Sequence, residues 1–358
     1  MKKIIRYVSQ ASILGMSLTI GLAGNANAAA IISGGNVQLG VDDFGQLNIP
    51  GGVASPVSGE TDVGLRYLPT GNEATSHGCL CEGWGIADAV LDISGSANNN
   101  DGIFGLTLDS FTSTDSTATS ITNTTGGEFQ VTHDFMPSVT DDLYEVKVTI
   151  ENTSGSVLED VRYRRTFDWD IEPDAFSEIV TIGGTEAASA VLFASDDGFA
   201  SSDPLSFRSD ILFTGDAEAS GPDDHGALFD FGFGSLDVGG TQEFSIFYGG
   251  AATEADAVTA LADVGAEVFS FGQAASDPEG LGGVNAAGDA LNTFIFGFSG
   301  VGGQVVLDPR DPDSDPNPNP DPTPEPATTP EPGSILSLLA VGLVGSRSIF
   351  KRKNAAKN

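Results

Sequence analysis

The chain contains two cysteines, and they stand one residue apart at Cys79 and Cys81. In an oxidising compartment such a pair predicts a disulfide, although a bridge across one intervening residue closes a very small, strained ring. Strained disulfides tend to be oxidising and labile. Two alternatives stay open: a pair of free thiols, or a soft-metal site completed by His77 and Glu82. Because the sequence offers no second cluster of ligands, we expect the disulfide.

A second group of chemically capable residues follows one predicted strand. Arg162, Arg164, Asp168 and Asp170 fall on the same face of that strand by their period-two spacing. Two carboxylates in a cleft could act as general acid and base on a glycan, with the arginines as a clamp. The same residues could instead form a solvated or inter-strand face of ion pairs. Basic residues are scarce, with 15 Lys and Arg against 50 Asp and Glu, so their clustering near aspartates favours the ion pairs.

Acidic turns recur along the chain and could bind a cation. Asp196 and Asp197 precede a glycine, and Asp223 and Asp224 lie in a second Gly-bounded turn. Ca²⁺ takes roughly six to eight oxygen ligands, so these four aspartates are candidate metal ligands and Ca²⁺ a candidate cofactor. Neither turn has the spacing of an EF-hand, and turn geometry alone also favours Asp followed by Gly. Weak divalent binding to so acidic a chain is the broader expectation.

The histidines and the familiar catalytic motifs add little. His133 lies on the apolar face of its predicted strand, where we expect a core residue with a satisfied hydrogen bond. His225 lies in an acidic turn, which favours its protonated form. The sequence has no G-x-S-x-G, H-E-x-x-H, P-loop or dinucleotide fingerprint. We therefore name no catalytic residue.

Antiparallel strands are predicted to position these residues. Apolar and polar side chains alternate between turns rich in Gly, Asn and Asp, which is typical of half-buried strands. In the clearest strand Arg165 is the single charged residue on the apolar face. The predicted strands cover residues 129–135, 143–150, 161–171, 190–194, 243–248 and 293–298.

One short helix accompanies the strands. The segment 254–264 is rich in Ala and Leu, begins after Thr253 as N-cap and ends at Gly265. This pattern predicts a mainly β fold: a large antiparallel β-sandwich with one short helix, spanning residues 29–307. We expect one oversized sandwich rather than two stacked ones.

The composition changes abruptly at residue 308. Residues 308–332 hold ten of the 18 prolines, alternating largely with Asp, Asn, Thr and Glu. Such a segment cannot bury a core and samples extended polyproline II. At ~3.1 Å per residue, about 25 residues reach up to ~75 Å. We therefore predict a disordered, acidic stalk.

The N-terminus has the pattern of a secretory signal. Lys2, Lys3 and Arg6 precede a short apolar run, and an A-x-A site follows at Ala26 and Ala28. This order predicts a signal peptide over residues 1–28, cleaved after Ala28. The apolar run is shorter than the ~20 residues that a spanning helix needs. The chain is therefore predicted to be exported.

The C-terminus carries a tripartite tail at residues 331–354. A short motif and an apolar segment at 334–345 precede a basic cluster. The motif and the cluster consist of Pro330, Glu331, Pro332, Arg347, Lys351, Arg352 and Lys353. This order predicts a hydrophobic helix inserted transiently with its basic end in the cytoplasm. On these residues the tail resembles the PEP-CTERM sorting signal of Gram-negative bacteria. That resemblance implies processing near Pro332 by an exosortase-type membrane protease, and a place at the cell surface or outside the cell, commonly beside extracellular polysaccharide.

Two internal stretches, residues 152–170 and 221–230, resemble segments of uncharacterised exported bacterial β-proteins. The resemblance implies a shared domain and no known activity.

Removal of both ends makes the chain more acidic. Seven Lys and Arg would remain against all 50 Asp and Glu, a net charge near −43 instead of −35. Such a surface repels nucleic acid, and also acidic polysaccharide unless divalent cations intervene. We therefore exclude a nucleic-acid partner and expect an exported cell-surface or matrix protein of structural, adhesive or glycan- and cation-binding type.

The alternative function is a secreted glycan hydrolase or lyase acting through paired carboxylates. It predicts a concave pocket in which two carboxylates converge about 5–10 Å apart. A cell-surface or matrix protein instead predicts that Asp168 and Asp170 pair with Arg162 and Arg164 on an open face.

Overall fold

A computed structural model describes residues 29–75, 77–79, 81–308 and 310. The predicted signal peptide and the predicted sorting tail lie outside these residues, as does the predicted stalk apart from Asp308 and Arg310. The chain divides into two units, Met1–Ser314 and Asp315–Asn358, and every described residue belongs to the first.

Strands dominate the described residues. In chain order the elements are β1 (Ala30–Gly34), β2 (Val37–Val41), β3 (Leu65–Tyr67), β4 (Asn72–Glu73), β5 (Glu82–Asp88), β6 (Ile93–Asn98), β7 (Gly102–Phe104), β8 (Leu106–Ser113), β9 (Ala118–Thr124), β10 (Phe129–Pro137), β11 (Leu143–Asn152), β12 (Leu158–Asp168), β13 (Glu178–Gly183), β14 (Val191–Ser195), β15 (Ala217–Asp223), β16 (Gly226–Leu236), β17 (Thr241–Ala251), α1 (Glu254–Asp263), β18 (Val268–Ala274), β19 (Gly283–Val284), β20 (Ala290–Leu291) and β21 (Thr293–Ser299). The six strands predicted from alternation are present as β10, β11, β12, β14, β17 and β21, with ends that differ by at most three residues.

Within the described part of the chain the strands form four sheets. A nine-stranded sheet has the order β15-β13-β18-β21-β17-β11-β10-β9-β8, and a six-stranded sheet has the order β14-β16-β12-β5-β6-β7. Strands β1 to β4 form a small third sheet, and β19 pairs with β20. Neighbouring strands run antiparallel, as in the central pairs of β11 with β17 and β12 with β16.

The two large sheets pack face to face through aromatic side chains. Tyr163 and Phe167 point inward from β12 and are wholly buried, as their period-two spacing predicts. The Phe167 ring lies 5.6 Å from that of Tyr248 on β17 and 4.9 Å from that of Phe296 on β21. Such a ring pair stabilises a fold by about 0.5–1.5 kcal/mol beyond the area it buries. The prediction of a mainly β, antiparallel sandwich is confirmed.

The outward face of β12 is buried as well, which the sequence analysis did not predict. The segment around Ser202 lies across the six-stranded sheet. A Cβ on Gly85 of β5 would meet the Ser202 carbonyl oxygen at 2.1 Å, so this close approach requires glycine. Thr166 of β12 lies 3.0 Å from the Ser202 hydroxyl through its own hydroxyl. A second layer of chain therefore covers a face that the alternation assigned to solvent.

The arginines of β12 pair with acids other than those predicted. Arg164 is wholly buried and donates to both carboxylate oxygens of Asp230 on β16, at 2.6 and 2.9 Å. Arg162 donates to Asp160 at 2.7 Å. The predicted pairing of these arginines with Asp168 and Asp170 is therefore wrong, because other acids lie closer to both guanidinium groups.

The single predicted helix is present as α1. The Thr253 hydroxyl accepts from the Asp256 N–H at 3.2 Å, as expected of an N-cap. The helix ends before Gly265, whose φ of +65° is a left-handed conformation that glycine adopts readily. Among the residues described, no helix has the length and apolar character to cross a membrane.

Candidate functional site: a buried acid cluster

Four acidic side chains come together beyond the end of β12, and we name them the acid cluster: Asp168, Asp170, Glu178 and Asp224. They come from the end of β12, the start of β13 and the turn between β15 and β16. Their charges act on one another. The cluster therefore joins both internal stretches that the sequence analysis singled out.

Close backbone packing fixes the position of Asp168. Its Cα pairs with that of Gly226 at the start of β16. A Cβ on Gly226 would lie 2.1 Å from the Phe167 carbonyl oxygen and 2.8 Å from the Cα of Gly198. Only glycine lets these backbone segments approach so closely. Asp168 is therefore held between β16 and the turn at residues 196–198.

Local hydrogen bonds and a glycine position Glu178 and Asp170. Glu178 Oε1 accepts from the N–H of Phe176 at 2.6 Å and from the N–H of Ile171 at 3.3 Å. Gly78 covers Asp170, since a Cβ there would lie 3.3 Å from Asp170 Oδ2. Gly78 also has a φ of +62°, a conformation that other residues rarely adopt. The loop that carries the cysteines thus closes over the acid cluster.

Most of the cluster's oxygens are buried without a hydrogen-bond partner. Asp170 is 0% exposed, and neither of its carboxylate oxygens has a partner. Three further oxygens of the cluster are also buried without a hydrogen-bond partner: Asp168 Oδ1, Glu178 Oε2 and Asp224 Oδ1. In the described part of the chain, the ion pairs of the neighbouring arginines go to other acids. A buried carboxylate without a donor costs about 1–3 kcal/mol, and more when it is charged, so the cluster requires protons or a cation.

Burial and mutual repulsion raise the pKa values of the cluster. Burial, followed by the charges of Asp168, Glu178 and Asp224, raises the pKa of Asp170 to about 9. Burial and the charges of Asp224 and Asp197 raise the pKa of Asp168 to about 7. Burial raises the pKa of Glu178 to about 8, against the effect of its backbone hydrogen bonds. Without a cation, the cluster therefore holds protons at neutral pH.

His225 lies between Asp196 and the acid cluster. Its Nδ1 lies 3.1 Å from Asp196 Oδ2, and its Nε2 lies 3.2 Å from the Glu178 carbonyl oxygen. A carbonyl oxygen only accepts, so Nε2 carries a proton. Asp196 also accepts from the N–H of Leu212 at 2.9 Å, and its hydrogen bonds lower its pKa against the effect of burial. His225 therefore links the Asp196 side chain to the backbone of β13.

The cysteine pair lies against Asp168. Cys79 and Cys81 are joined by a disulfide, and Asp168 Oδ2 lies 3.3 Å from Cys79 Sγ. A disulfide sulfur has no proton, so a hydrogen bond at this contact requires a protonated Asp168 as donor. Both sulfurs and a carboxylate oxygen of Asp168 lie within 4.8 Å of one another. Over the described ranges, no other group of three His, Cys, Asp or Glu side chains converges so closely.

The further ligands considered for the cysteine pair lie elsewhere. Glu82 is buried, accepts from Arg165 Nε at 2.5 Å and accepts from the Leu47 N–H at 2.6 Å. Glu82 as a metal ligand is therefore wrong, since the buried Arg165 requires its charge. His77 Nε2 lies 3.7 Å from Glu172 Oε1. The residue that does reach both sulfurs, Asp168, was assigned to a different site by its sequence position.

The four aspartates predicted as Ca²⁺ ligands have different surroundings. Asp196 is wholly buried and anchors residues 211–213 by accepting their N–H groups. Asp197 accepts from the Ser209 hydroxyl, and Asp223 is exposed. Asp224 belongs to the acid cluster. Ca²⁺ binding at these residues stays a prediction, and the structure brings only Asp224 together with other acids whose oxygens lack partners.

Glu178 was missed by the sequence analysis. It is the first residue of β13 and is wholly buried. A single glutamate before an apolar run is an ordinary strand boundary, so no local pattern sets it apart. Its proximity to Asp168 and Asp170 depends on the pairing of β13 with β15 and β18.

The arrangement differs from the open face of ion pairs that was predicted for a matrix protein. Asp168 and Asp170 are not on an open face. Two surface cavities, of about 460 and 310 Å³, are present among the described residues, and no acid of the cluster lines either of them. The larger is lined by Phe269, Phe271 and seven further residues around β13 and α1. Neither cavity places a substrate against the clustered carboxylates.

Fold and site together define a mainly antiparallel β-sandwich protein with a buried, uncompensated acid cluster. No protein-family model and no curated protein matches the chain. Among solved structures, a galactose mutarotase-related enzyme from Lactobacillus acidophilus is similar over 76% of this chain and 86% of its own, at 7% identity and a TM-score of 0.26. A likeness at that score carries no argument about fold or function.

Proposed function

We propose that this chain is an exported cell-surface or extracellular-matrix protein whose sandwich binds a hard divalent cation, Ca²⁺ first among them, at the acid cluster. The observation that supports the proposal is the Asp170 carboxylate, which is wholly buried without a partner for either oxygen and lies among three other acids. A bound cation would supply the missing positive charge. It would also reduce the repulsion between this acidic chain and acidic polysaccharide.

Carboxylate oxygens suit a hard cation. Ca²⁺ accepts roughly six to eight oxygen ligands, among them water and backbone carbonyl groups. In the described part of the chain, no three carboxylates of the cluster bring their oxygens within 4.8 Å of one another. An ion would therefore be held directly by two of these side chains, with water and carbonyl oxygens completing its shell.

The two ends of the chain supply the address in this proposal. The signal peptide would direct export, and the apolar segment at residues 334–345 would insert transiently into the inner membrane. An exosortase-type protease would then cut near Pro332 and leave the sandwich, on its stalk, at the surface or outside the cell. Extracellular polysaccharide is the partner that this address and the acidic charge favour.

Calcium titration of the purified full-length chain tests the cation site. After treatment with a chelator, we expect one saturable site per chain by calorimetry. Asp170→Asn should weaken Ca²⁺ binding at least tenfold, an order of magnitude typical for loss of a metal-site group. Asp237→Asn removes an exposed acid in the turn between β16 and β17, at the other end of β16 from Asp224. It is the matched control and should bind as the wild type. Equal Ca²⁺ affinity of wild type and Asp170→Asn would leave only diffuse binding to an acidic surface.

The sorting signal has a built-in control, because the tripeptide Pro-Glu-Pro occurs twice, at residues 324–326 and 330–332. Only the second directly precedes the apolar segment. Replacing residues 330–332 by alanines should leave an unprocessed chain in the inner membrane, whereas the same change at 324–326 should not alter processing. Immunoblots of membrane and extracellular fractions measure both. Normal processing of the 330–332 variant would refute the assignment of the tail.

A further inference from the structure

We infer that reduction of the Cys79–Cys81 disulfide creates a second, soft-metal site, in which the two thiolates and the Asp168 carboxylate bind a thiophilic divalent cation such as Zn²⁺. This inference goes beyond the proposed Ca²⁺ site and does not require it. Asp168 borders both sites, with Oδ2 toward Cys79 and Oδ1 without a partner.

An oxygen of Asp168 lies near both sulfurs, which are bonded to each other and must move apart to roughly 3.8 Å to bind one ion. Both sulfurs and an oxygen of Asp168 lie within 4.8 Å of one another. Zn–S bonds of about 2.3 Å and Zn–O bonds of about 2.0–2.2 Å place two ligands of a tetrahedral ion less than this distance apart. Little movement of the side chains would therefore be needed once the sulfurs separate.

The burial of the three groups favours metal binding over exposure of free thiols. Cys81 is 6% exposed and Asp168 is 2% exposed, whereas Cys79 is partly exposed. A buried carboxylate oxygen without a partner, Asp168 Oδ1, is a group that a nearby cation would stabilise. Three protein ligands also leave a fourth position for water on the exposed side of Cys79, as in open zinc sites.

The redox state decides which ligands exist. The disulfide is neutral and offers no thiolate, so the oxidised chain presents one carboxylate at this position. A thiol or phosphine reductant transfers two electrons, the S–S bond breaks, and each sulfur takes up one proton while the reductant is oxidised. Binding of the metal then releases both thiol protons. Two thiolates and Asp168 carry three negative charges, next to the acids at 170, 178 and 224, so the reduced site attracts a cation strongly.

Cobalt titration of the full-length chain tests this inference, because Co²⁺ bound by thiolates gives a charge-transfer absorption band that carboxylate sites lack. With a phosphine reductant, we expect one Co²⁺ per chain, the thiolate band, and displacement of Co²⁺ by Zn²⁺. The oxidised chain should show no band. This comparison uses the wild type alone, so it does not depend on the folding of any variant.

Variants then assign the ligands. Cys79→Ser and Cys81→Ser should each weaken Co²⁺ binding at least 100-fold, and Asp168→Asn about tenfold or more. Asp237→Asn, which removes an exposed acid in the turn between β16 and β17, should bind as the wild type. A reduced chain that shows two free thiols and no band, or serine variants that keep the band, would overturn the inference.

The two proposals fail separately. Ca²⁺ binding by Cys79→Ser should equal that of the wild type, because no sulfur takes part in the hard-cation site. If the reduced wild-type chain shows no cobalt band but still binds Ca²⁺, only the soft-metal site is rejected. A normal band without Ca²⁺ binding would reject the acid cluster as a calcium site alone.

Discussion

Replacing Asp170 by asparagine tests whether the acid cluster carries an uncompensated charge. Burial and the neighbouring acids raise the pKa of Asp170 from 3.8 to about 9 in the folded chain. Between these two values, the folded state holds a proton that the unfolded state has lost. The free energy of unfolding therefore decreases as the pH rises through this window, at about 1.4 kcal/mol per pH unit for one such group. Below the unfolded pKa, both states are protonated and the effect vanishes.

The size of the effect follows from this slope. Between pH 5 and pH 7, Asp170 alone accounts for a loss of about 3 kcal/mol in the wild type, in the absence of a cation. Asparagine is neutral at every pH, so Asp170→Asn should lack this part of the loss. The variant should then be the more stable protein at pH 7. For a domain of this size, the difference corresponds to about 6–12 °C in Tm.

Urea and thermal unfolding at pH 5, 6 and 7, with a calcium chelator, measure the difference. Asp237→Asn removes an exposed carboxylate and should follow the wild type at each pH. Added Ca²⁺ should stabilise the wild type at pH 7 and have little effect on Asp170→Asn. Parallel pH profiles of wild type and Asp170→Asn in the chelator would refute the reasoning, because the Asp170 carboxylate would then have a counter-charge in the folded state.

Three further predictions concern the charges and the packing around the site. Asp230→Asn leaves the buried Arg164 without its ion pair and should lower the free energy of unfolding by about 3–5 kcal/mol. Asp160→Asn breaks the more exposed pair with Arg162 and should cost less than about 1 kcal/mol. Equal losses in urea unfolding would contradict this prediction. Gly226→Ala would place its Cβ 2.1 Å from a carbonyl oxygen and should cost more than about 2 kcal/mol, whereas Gly155→Ala has open space and should stay within about 0.5 kcal/mol; similar melting temperatures for the two variants would argue against the close packing. Because the pKa values of the cluster are raised, Ca²⁺ must displace protons, so its affinity should increase from pH 6 to pH 8; calorimetry in buffers of different ionisation enthalpy measures the proton release, and a pH-independent Kd would speak against binding at the cluster.

The elements with a one-sided apolar pattern could be predicted from the sequence. From Tyr144 onward in β11, polar and apolar residues alternate, and in β12 they do so with Arg165 as the one charged residue on the apolar face. The helix α1 has both a cap and a terminating glycine. Short strands such as β3 and β4 were missed because two or three residues cannot establish a period. Strand β16 was missed as well, since its glycines at 232 and 234 resemble turn residues.

The site could be predicted only in pieces. Asp168, Asp224 and the cysteine pair were each singled out, but they were assigned to three separate roles. They are brought together by the pairing of β12 with β16 and by the cysteine-bearing loop that packs over these strands. These contacts join residues that are far apart in sequence, so no local pattern predicts them. The burial of Arg164 was missed for a similar reason. Alternation predicts which face of a strand packs against the opposite sheet, but it does not predict that another segment of the chain covers the other face.

The two tryptophans give the sandwich an optical readout of its own chemistry. Trp169 lies between two members of the acid cluster in sequence but points into the core, where its indole N–H donates to Ser270 at 3.1 Å. Trp84 is equally buried and packs 4.5 Å from the ring of His133. The emission wavelength of an indole ring depends on the local electric field. A proton or cation that binds to the cluster therefore shifts the emission maximum of Trp169. Occupancy of the site therefore becomes visible without a label, and Trp169→Phe would remove the signal.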